Sequence, residues 1–78
     1  MNIQTILEQA VSENASDVFI VAGLPVSVRK NGVIHQVNDE KLLPTDTEQF
    51  LREIYELADH RDIHVFEKNG DDDFAFAL

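Results

Sequence analysis

Apolar residues recur along the first thirteen positions with a helical period. Ile3, Ile6, Leu7, Ala10 and Val11 fall at i, i+3, i+4, i+7 and i+8, while Gln4, Glu8, Gln9 and Glu13 fill the opposite side. The pattern predicts an amphipathic helix over 3–13, with Asn2 as N-cap and Asn14 closing it in a left-handed conformation. The period then changes. Asp17 to Val21 is a β-branched and aromatic run apolar on both faces, which predicts a strand covered on both sides or a central one. Gly23-Leu24-Pro25 breaks it. Val26 to Val37 alternates on either side of Asn31-Gly32, the residue pair whose positive φ angles suit a type I′ turn. A two-residue turn fixes the register: Lys30 faces Val33, Val28 faces His35 and Val26 faces Val37, with Arg29–Ile34 and Ser27–Gln36 on the other side. The valine-bearing side is the expected core face.

After a polar loop at 38–43, Thr45 and Glu48 have capping-box spacing ahead of a helix buried through Phe50, Leu51, Ile54, Leu57 and Ala58. A short third helix is expected around 60–68, with Ile63, Val65 and Phe66 inward and Asn69-Gly70 as its stop. Asp72 to Leu78 alternates Phe74, Phe76 and Leu78 with smaller residues and reads as a strand. The order is α-β-β-β-α-α-β, an α+β chain of one domain over residues 1–78. The last strand stops with no turn signal and no polar tail, like a cut, and the sheet is expected to be incomplete. An open edge beside Phe74, Phe76 and Leu78 would then template self-association through Asp72–Leu78.

Charge and length narrow the function. Fifteen acidic residues against six basic ones give a net charge of −9, which a nucleic-acid backbone or an anionic membrane would repel. With no cysteine there is no disulfide framework and no thiolate zinc site, as suits the cytosol. The longest apolar run, Val18 to Ala22, is too short to span a bilayer, and the N-terminus does not read as a signal peptide. Seventy-eight residues are too few for a complete nucleotide-hydrolysing domain, and no phosphate-loop motif occurs.

The remaining chemistry is thin. His60 and His64 stand four apart and would share a helical face, but only Glu56, Asp59 or Glu67 could complete a metal site, so surface histidines are the simpler reading. Asp71-Asp72-Asp73 lacks the alternate spacing and internal glycine of a calcium loop and reads as a solvated turn. His35 is expected to be a hydrogen-bonded structural histidine. No serine, histidine and carboxylate set suggests a triad, and no pair of carboxylates stands out.

One combination is more specific. Ala15-Ser16-Asp17 leads into a strand, followed by Ala22-Gly23-Leu24-Pro25, then Val28-Arg29, then Asn31-Gly32, and near the end Asp73-Phe74-Ala75-Phe76. In this order they resemble the N-terminal domain of the PilT-type twitching-motility ATPases, motors that retract type IV pili. The resemblance covers essentially all 78 residues, and its specific part is the Ala-Gly-Leu-Pro turn between the Ala-Ser-Asp strand and the Arg-x-x-Gly hairpin. The chain departs from the family at Phe19, where a histidine is usual, and at Val26, where a second proline often follows Pro25.

The resemblance implies a PAS-like antiparallel sheet with helices packed on it, followed in the parent by a RecA-like domain that carries the phosphate loop and takes ATP and Mg. It implies a cytoplasmic hexamer serving the pilus machinery at the inner membrane face. Each N-terminal domain would pack on its own and its neighbour's ATPase domains and couple ATP turnover to movement. This segment alone would be no enzyme and hold no cofactor or metal. Ser16, Asp17, Gly23, Leu24, Pro25 and Arg29 are the candidate contact residues. Related type II secretion and pilus-assembly ATPases share the strand and the hairpin but generally lack the turn. The rival reading is a free-standing PAS-like binding or adaptor module, although few large apolar residues remain to line a cavity as well as fill a core.

Overall fold

The computed structural model describes residues 3–58, 64–69 and 73–78, with Ala58 and residues 64–69 described by backbone alone. Seven elements occur: α1 Ile3–Ser12, β1 Asp17–Val21, β2 Ser27–Lys30, β3 Val33–Gln36, α2 Pro44–Ala58, β4 His64–Asn69 and β5 Asp73–Ala77. The strands form one sheet in the order β3-β2-β1-β5-β4, every neighbouring pair antiparallel. The α+β class and the antiparallel sheet with packed helices are as the sequence predicts.

Helix α1 buries Ile3, Ile6, Leu7 and Ala10 but leaves Val11 60% exposed. At about 100° per residue, Val11 lies roughly 80° round from Ile3, at the stripe's margin. Ala15 N–H donates to Ala10 O (2.9 Å) and Asn14 N–H to Val11 O (3.1 Å), with Asn14 at φ 59°. This is a Schellman closure with Asn14 in the left-handed position. Asn2 lies outside the described residues.

Helix α2 starts two positions earlier than a Thr45 cap would put it. Pro44 opens it, its fixed φ suited to a first helical residue. The Asp46 carboxylate accepts from Leu43 N–H (2.9 Å), and Thr47 Oγ donates to Pro44 O (2.9 Å). The capping box expected of Thr45 and Glu48 is thus replaced by Asp46 reaching back to Leu43, and Glu48 instead pairs with Arg52 at 2.7 Å.

The core joins the two helices to one face of the sheet. Val18 and Ile20 of β1, Val26 and Val28 beside them, and Phe74 and Phe76 of β5 meet Ile6, Leu7, Ala10, Phe50, Leu51 and Ile54 in one cluster. Val18, Ile20, Val26, Ile54 and Phe76 have no exposed surface, each such side chain contributing about 1.5–3 kcal/mol by burial. The hairpin register is the expected one, Lys30↔Val33 through Ser27↔Gln36, continued by Val37 N–H to Val26 O at 2.8 Å. Its valine face is only half used. Val26 and Val28 enter the core, whereas Val33, on the edge strand, is 55% exposed. His35 is likewise an exposed residue of an edge strand rather than an interior structural histidine.

Two expectations are overturned at the C-terminal end. Residues 64–69 form strand β4, not the second half of a helix over 60–68. Its ladder runs from His64↔Ala77 to Asn69↔Asp73, with a register shift between Val65 and Glu67. The run of Val65 and Phe66 suits a strand, and β5 offers it a full set of backbone partners that an isolated short helix would lack. Residues 60–63 of the expected helix lie outside the described residues. Because β4 pairs with β5 on one side and β1 on the other, the Asp72–Leu78 strand is no open edge. Phe74 and Phe76 are buried, stacked at 6.0 Å between ring centroids, so self-association through that strand has no free backbone to use. Among the described residues, the sheet's open edges are β3 and β4.

Asn31 and Gly32 have φ 52° and 78°, the pair of positive angles a type I′ turn requires. A Cβ at Gly32 would meet nothing within 4 Å, so backbone strain alone opposes a side chain there. Gly32→Val is expected to cost about 1 kcal/mol or more, read as a lowered midpoint in thermal melts, with the deficit larger than that of Gly32→Asn.

Candidate functional site

The face of the sheet away from the helices carries Asp17, Phe19 and Val21 on β1, Ser27 and Arg29 on β2, and Asp73, Ala75 and Ala77 on β5. Strand alternation puts them there, two residues apart and opposite Val18 and Ile20. Asp17 stands across from Arg29, and Arg29 Nη1 donates to Asp17 Oδ2 at 3.4 Å. The guanidinium also lies 5.3 Å from the centre of the Phe19 ring, in cation–π range. Asp17 is 14% exposed and Arg29 44%, so this ion pair sits at the surface and stabilises by no more than about 1 kcal/mol.

Ser16 ties this end together. Its N–H donates to Arg29 O (2.9 Å), its O accepts from Leu78 N–H (3.1 Å), and its Oγ donates to Asp17 Oδ2 (2.7 Å). The hydroxyl therefore donates its hydrogen bond to a carboxylate already paired with a guanidinium. That arrangement holds the serine and does not activate it as a nucleophile.

The other three candidate residues lie at the far end of β1. Leu24 N–H donates to Val21 O (3.2 Å), closing a turn in which Gly23 has φ 87°. Gly23 N–H donates to Leu42 O (2.8 Å) and Leu42 N–H to Leu24 O (3.1 Å), so the 38–43 loop is stitched to the turn. Pro25 is buried, whereas Leu24 and Leu43 are 52% and 62% exposed. The six residues therefore do not form one site. Ser16, Asp17 and Arg29 make a charged cluster at one end of the strand, and Gly23, Leu24 and Pro25 make an apolar knob about 13 Å away at the other.

Two residues of this surface are not among the six candidate contact residues. Phe19 supplies the ring beneath Arg29, and its i+2 relation to Asp17 was the available signal. Asp73 opens β5 opposite Val21, and its Oδ1 accepts from Ala22 N–H at 3.3 Å, which anchors the turn to the neighbouring strand. Among the described residues, no three His, Asp or Glu side chains converge as a metal site, and no helix is long and apolar enough to cross a membrane. His64 begins a strand, so no helical face carries it alongside His60, which lies outside the described residues together with Asp71 and Asp72. The geometry is an ion pair over an aromatic ring at one end of β1 and an exposed leucine on a braced turn at the other.

No protein-family model and no curated protein sequence matches the chain. Among solved structures, the fold is similar to that in the crystal structure of the pilus retraction motor PilT with bound ADP. The TM-score is 0.70 at 22% identity, over 100% of this chain and 29% of that one. It is also similar to the Legionella pneumophila ATPase DotB, with a TM-score of 0.64 at 23% identity, over 94% of this chain and 22% of that one. The chain thus spans under a third of the length of the structures it matches, and what it shares with them is the fold.

Removal of the Asp73 carboxylate is expected to loosen the turn selectively. In Asp73→Ala, the Ala22, Gly23 and Leu24 amides should exchange with deuterium faster, while the Ser16 amide keeps its protection. In Asp17→Ala both groups of amides should exchange at nearly the rates of the unaltered chain, since backbone partners hold Ser16.

Proposed function

We propose that this chain is the N-terminal domain of a hexameric ATPase of the pilus-retraction and secretion class, with the retraction branch the closer fit. Its role is to pack between subunits and transmit ATP-driven movement. The observation that carries this reading is the match of the whole chain, end to end, to part of the PilT motor at a TM-score of 0.70. Supporting it, the Ala-Ser-Asp, Ala-Gly-Leu-Pro and Arg-x-x-Gly residues fall on one strand, its two ends and the adjoining hairpin, with Ser16, Leu24 and Arg29 exposed and Ala15 and Pro25 buried beneath them. DotB is an ATPase, and the structure of the PilT retraction motor holds ADP. ATP and Mg are accordingly assigned to a RecA-like domain beyond Leu78, in a cytoplasmic parent working beside the pilus machinery. This segment contributes contacts and no catalysis.

The contact surface is Ser16, Asp17 and Arg29 at one end of β1 and Gly23, Leu24 and Pro25 at the other. Two separate footholds on one rigid strand suit a domain that must be moved as a body. Arg29→Glu would reverse the charge beside Asp17, and Leu24→Asp would put a carboxylate on the apolar knob. In the parent ATPase carrying both changes, light scattering is expected to show loss of the hexamer, with ATPase activity falling at least tenfold. The isolated double variant should still melt cooperatively, since both side chains are exposed. A full hexamer with unchanged turnover would overturn the proposal, as would a reading frame that ends at Leu78.

A further inference from the structure

The two open edges of the sheet are built differently. Edge strand β4 has a register shift between Val65 and Glu67 and carries Glu67 and Lys68, two devices that discourage strand addition. Edge strand β3, Val33-Ile34-His35-Gln36, has no irregularity, no proline and no Lys, Asp or Glu. All four residues are exposed, Val33 and Ile34 by 55% and 56%. Val37 N–H is bonded inward to Val26 O, and alternation in an antiparallel ladder then turns the N–H and C=O of Ile34 and Gln36 outward. On the helix side, Val28, Val33 and Val37 floor an open groove of about 460 Å³ beside Gln9 and Glu13 of α1.

We propose that β3 pairs with β3 of a second copy of this chain, antiparallel about a two-fold axis at His35, to give a continuous ten-stranded sheet. In that register Ile34 meets Gln36 of the second copy and Gln36 meets Ile34, so the outward groups form four hydrogen bonds. Val33 meets Val37 on the helix side, and the two grooves join into one trough between the α1 helices.

Charge decides in favour of a second copy. The chain is −9 overall, yet residues 26–37 hold Arg29 and Lys30 and no acid. Those two are paired to Asp17 (3.4 Å) and Glu13 (3.9 Å), so the edge meets its twin without net repulsion. Residues 59–73 hold six acids against two basic residues. Of these, Glu67 lies on β4 and Asp73 on β5, and at about 4.8 Å per strand pairing through β3 leaves the two β4 edges roughly 40 Å apart, beyond the screening length of about 8 Å at physiological salt. This proposal rests on the chain's own edge and does not depend on the ATPase reading.

The chain has no cysteine, so a single introduced one reports the register. At about pH 8, where histidine is neutral and a thiol is partly ionised, His35→Cys should oxidise to a disulfide dimer at least tenfold faster than Tyr55→Cys on α2. Directly opposed residues of a non-hydrogen-bonded pair lie about 4.5 Å apart at Cα. Ile34→Cys should not cross-link, because two copies of residue 34 would be more than 7 Å apart, out of disulfide reach. Sedimentation of the unaltered chain should show the mass rising toward twice the monomer with concentration. Ile34→Pro, which removes only an outward N–H, should stay monomeric while keeping its melting transition. A monomer at millimolar concentration, equal oxidation of the 35 and 55 variants, or an Ile34→Pro chain that still dimerises would each overturn the proposal.

Discussion

The burial of Val18 and Ile20 on one face of β1 is the constraint from which the other elements take their places. Both side chains have no exposed surface, and β1 is the middle strand of five. Val28 and Phe76 flank Val18, and Phe74 stands beside Ile20, so the neighbours' registers follow from filling that face. A slip of one residue would carry Asp17 and Phe19 into the core and expose both branched residues. The Asp17–Arg29 ion pair and the Arg29–Phe19 contact are possible only in the register that buries Val18. Core face and outer face therefore select the same pairing. The outer contacts, each weak, have a geometric consequence larger than their energy.

Much of this was legible because the signals are local. Helix α1, strand β1 and the Asn31-Gly32 hairpin each carry period and punctuation within a dozen residues, and the hairpin register follows from its turn alone. The C-terminal third was misread because its state is decided by partners distant in sequence. Val65 and Phe66 suit a helix or a strand, and Asn69-Gly70 punctuates either. What settles the matter is the ladder to β5, itself held by β1 some fifty residues away. The open edge expected of β5 followed from the same error, since removing β4 from the sheet leaves β5 without its outer neighbour. The candidate contact residues were found by resemblance, not by pattern. Nothing local says that Ser16 and Arg29 meet while Leu24 stands at the other end of the strand, nor that Asp73 braces the turn that carries Leu24.

Charge is distributed with the same division. The acids crowd α2 and the 59–73 segment, whereas the hairpin is the one stretch of the chain with basic residues and no acid. An acidic domain of this size keeps apart from its copies by self-repulsion, and the effect is weakest where the backbone is least guarded. The acid-rich stretches and the unguarded edge at β3 are thus two sides of one arrangement.

The two departures from the resembled family fall on opposite faces of the sheet and have different physical meanings. Val26, where a second proline is frequent, is buried in the core, and its link to β3 uses its carbonyl as acceptor for Val37 N–H. Proline has that carbonyl too, so this bond is indifferent to the exchange, and what valine changes is the shape of the core beside Val28 and Leu42. Phe19, where a histidine is usual, lies on the outer face beneath the Arg29 guanidinium. An uncharged ring attracts that cation, whereas a protonated imidazole would repel it and compete for Asp17. At position 19 the chain therefore offers the Arg29 guanidinium an aromatic face in place of a second cation, and the Asp17 carboxylate keeps Arg29 as its partner.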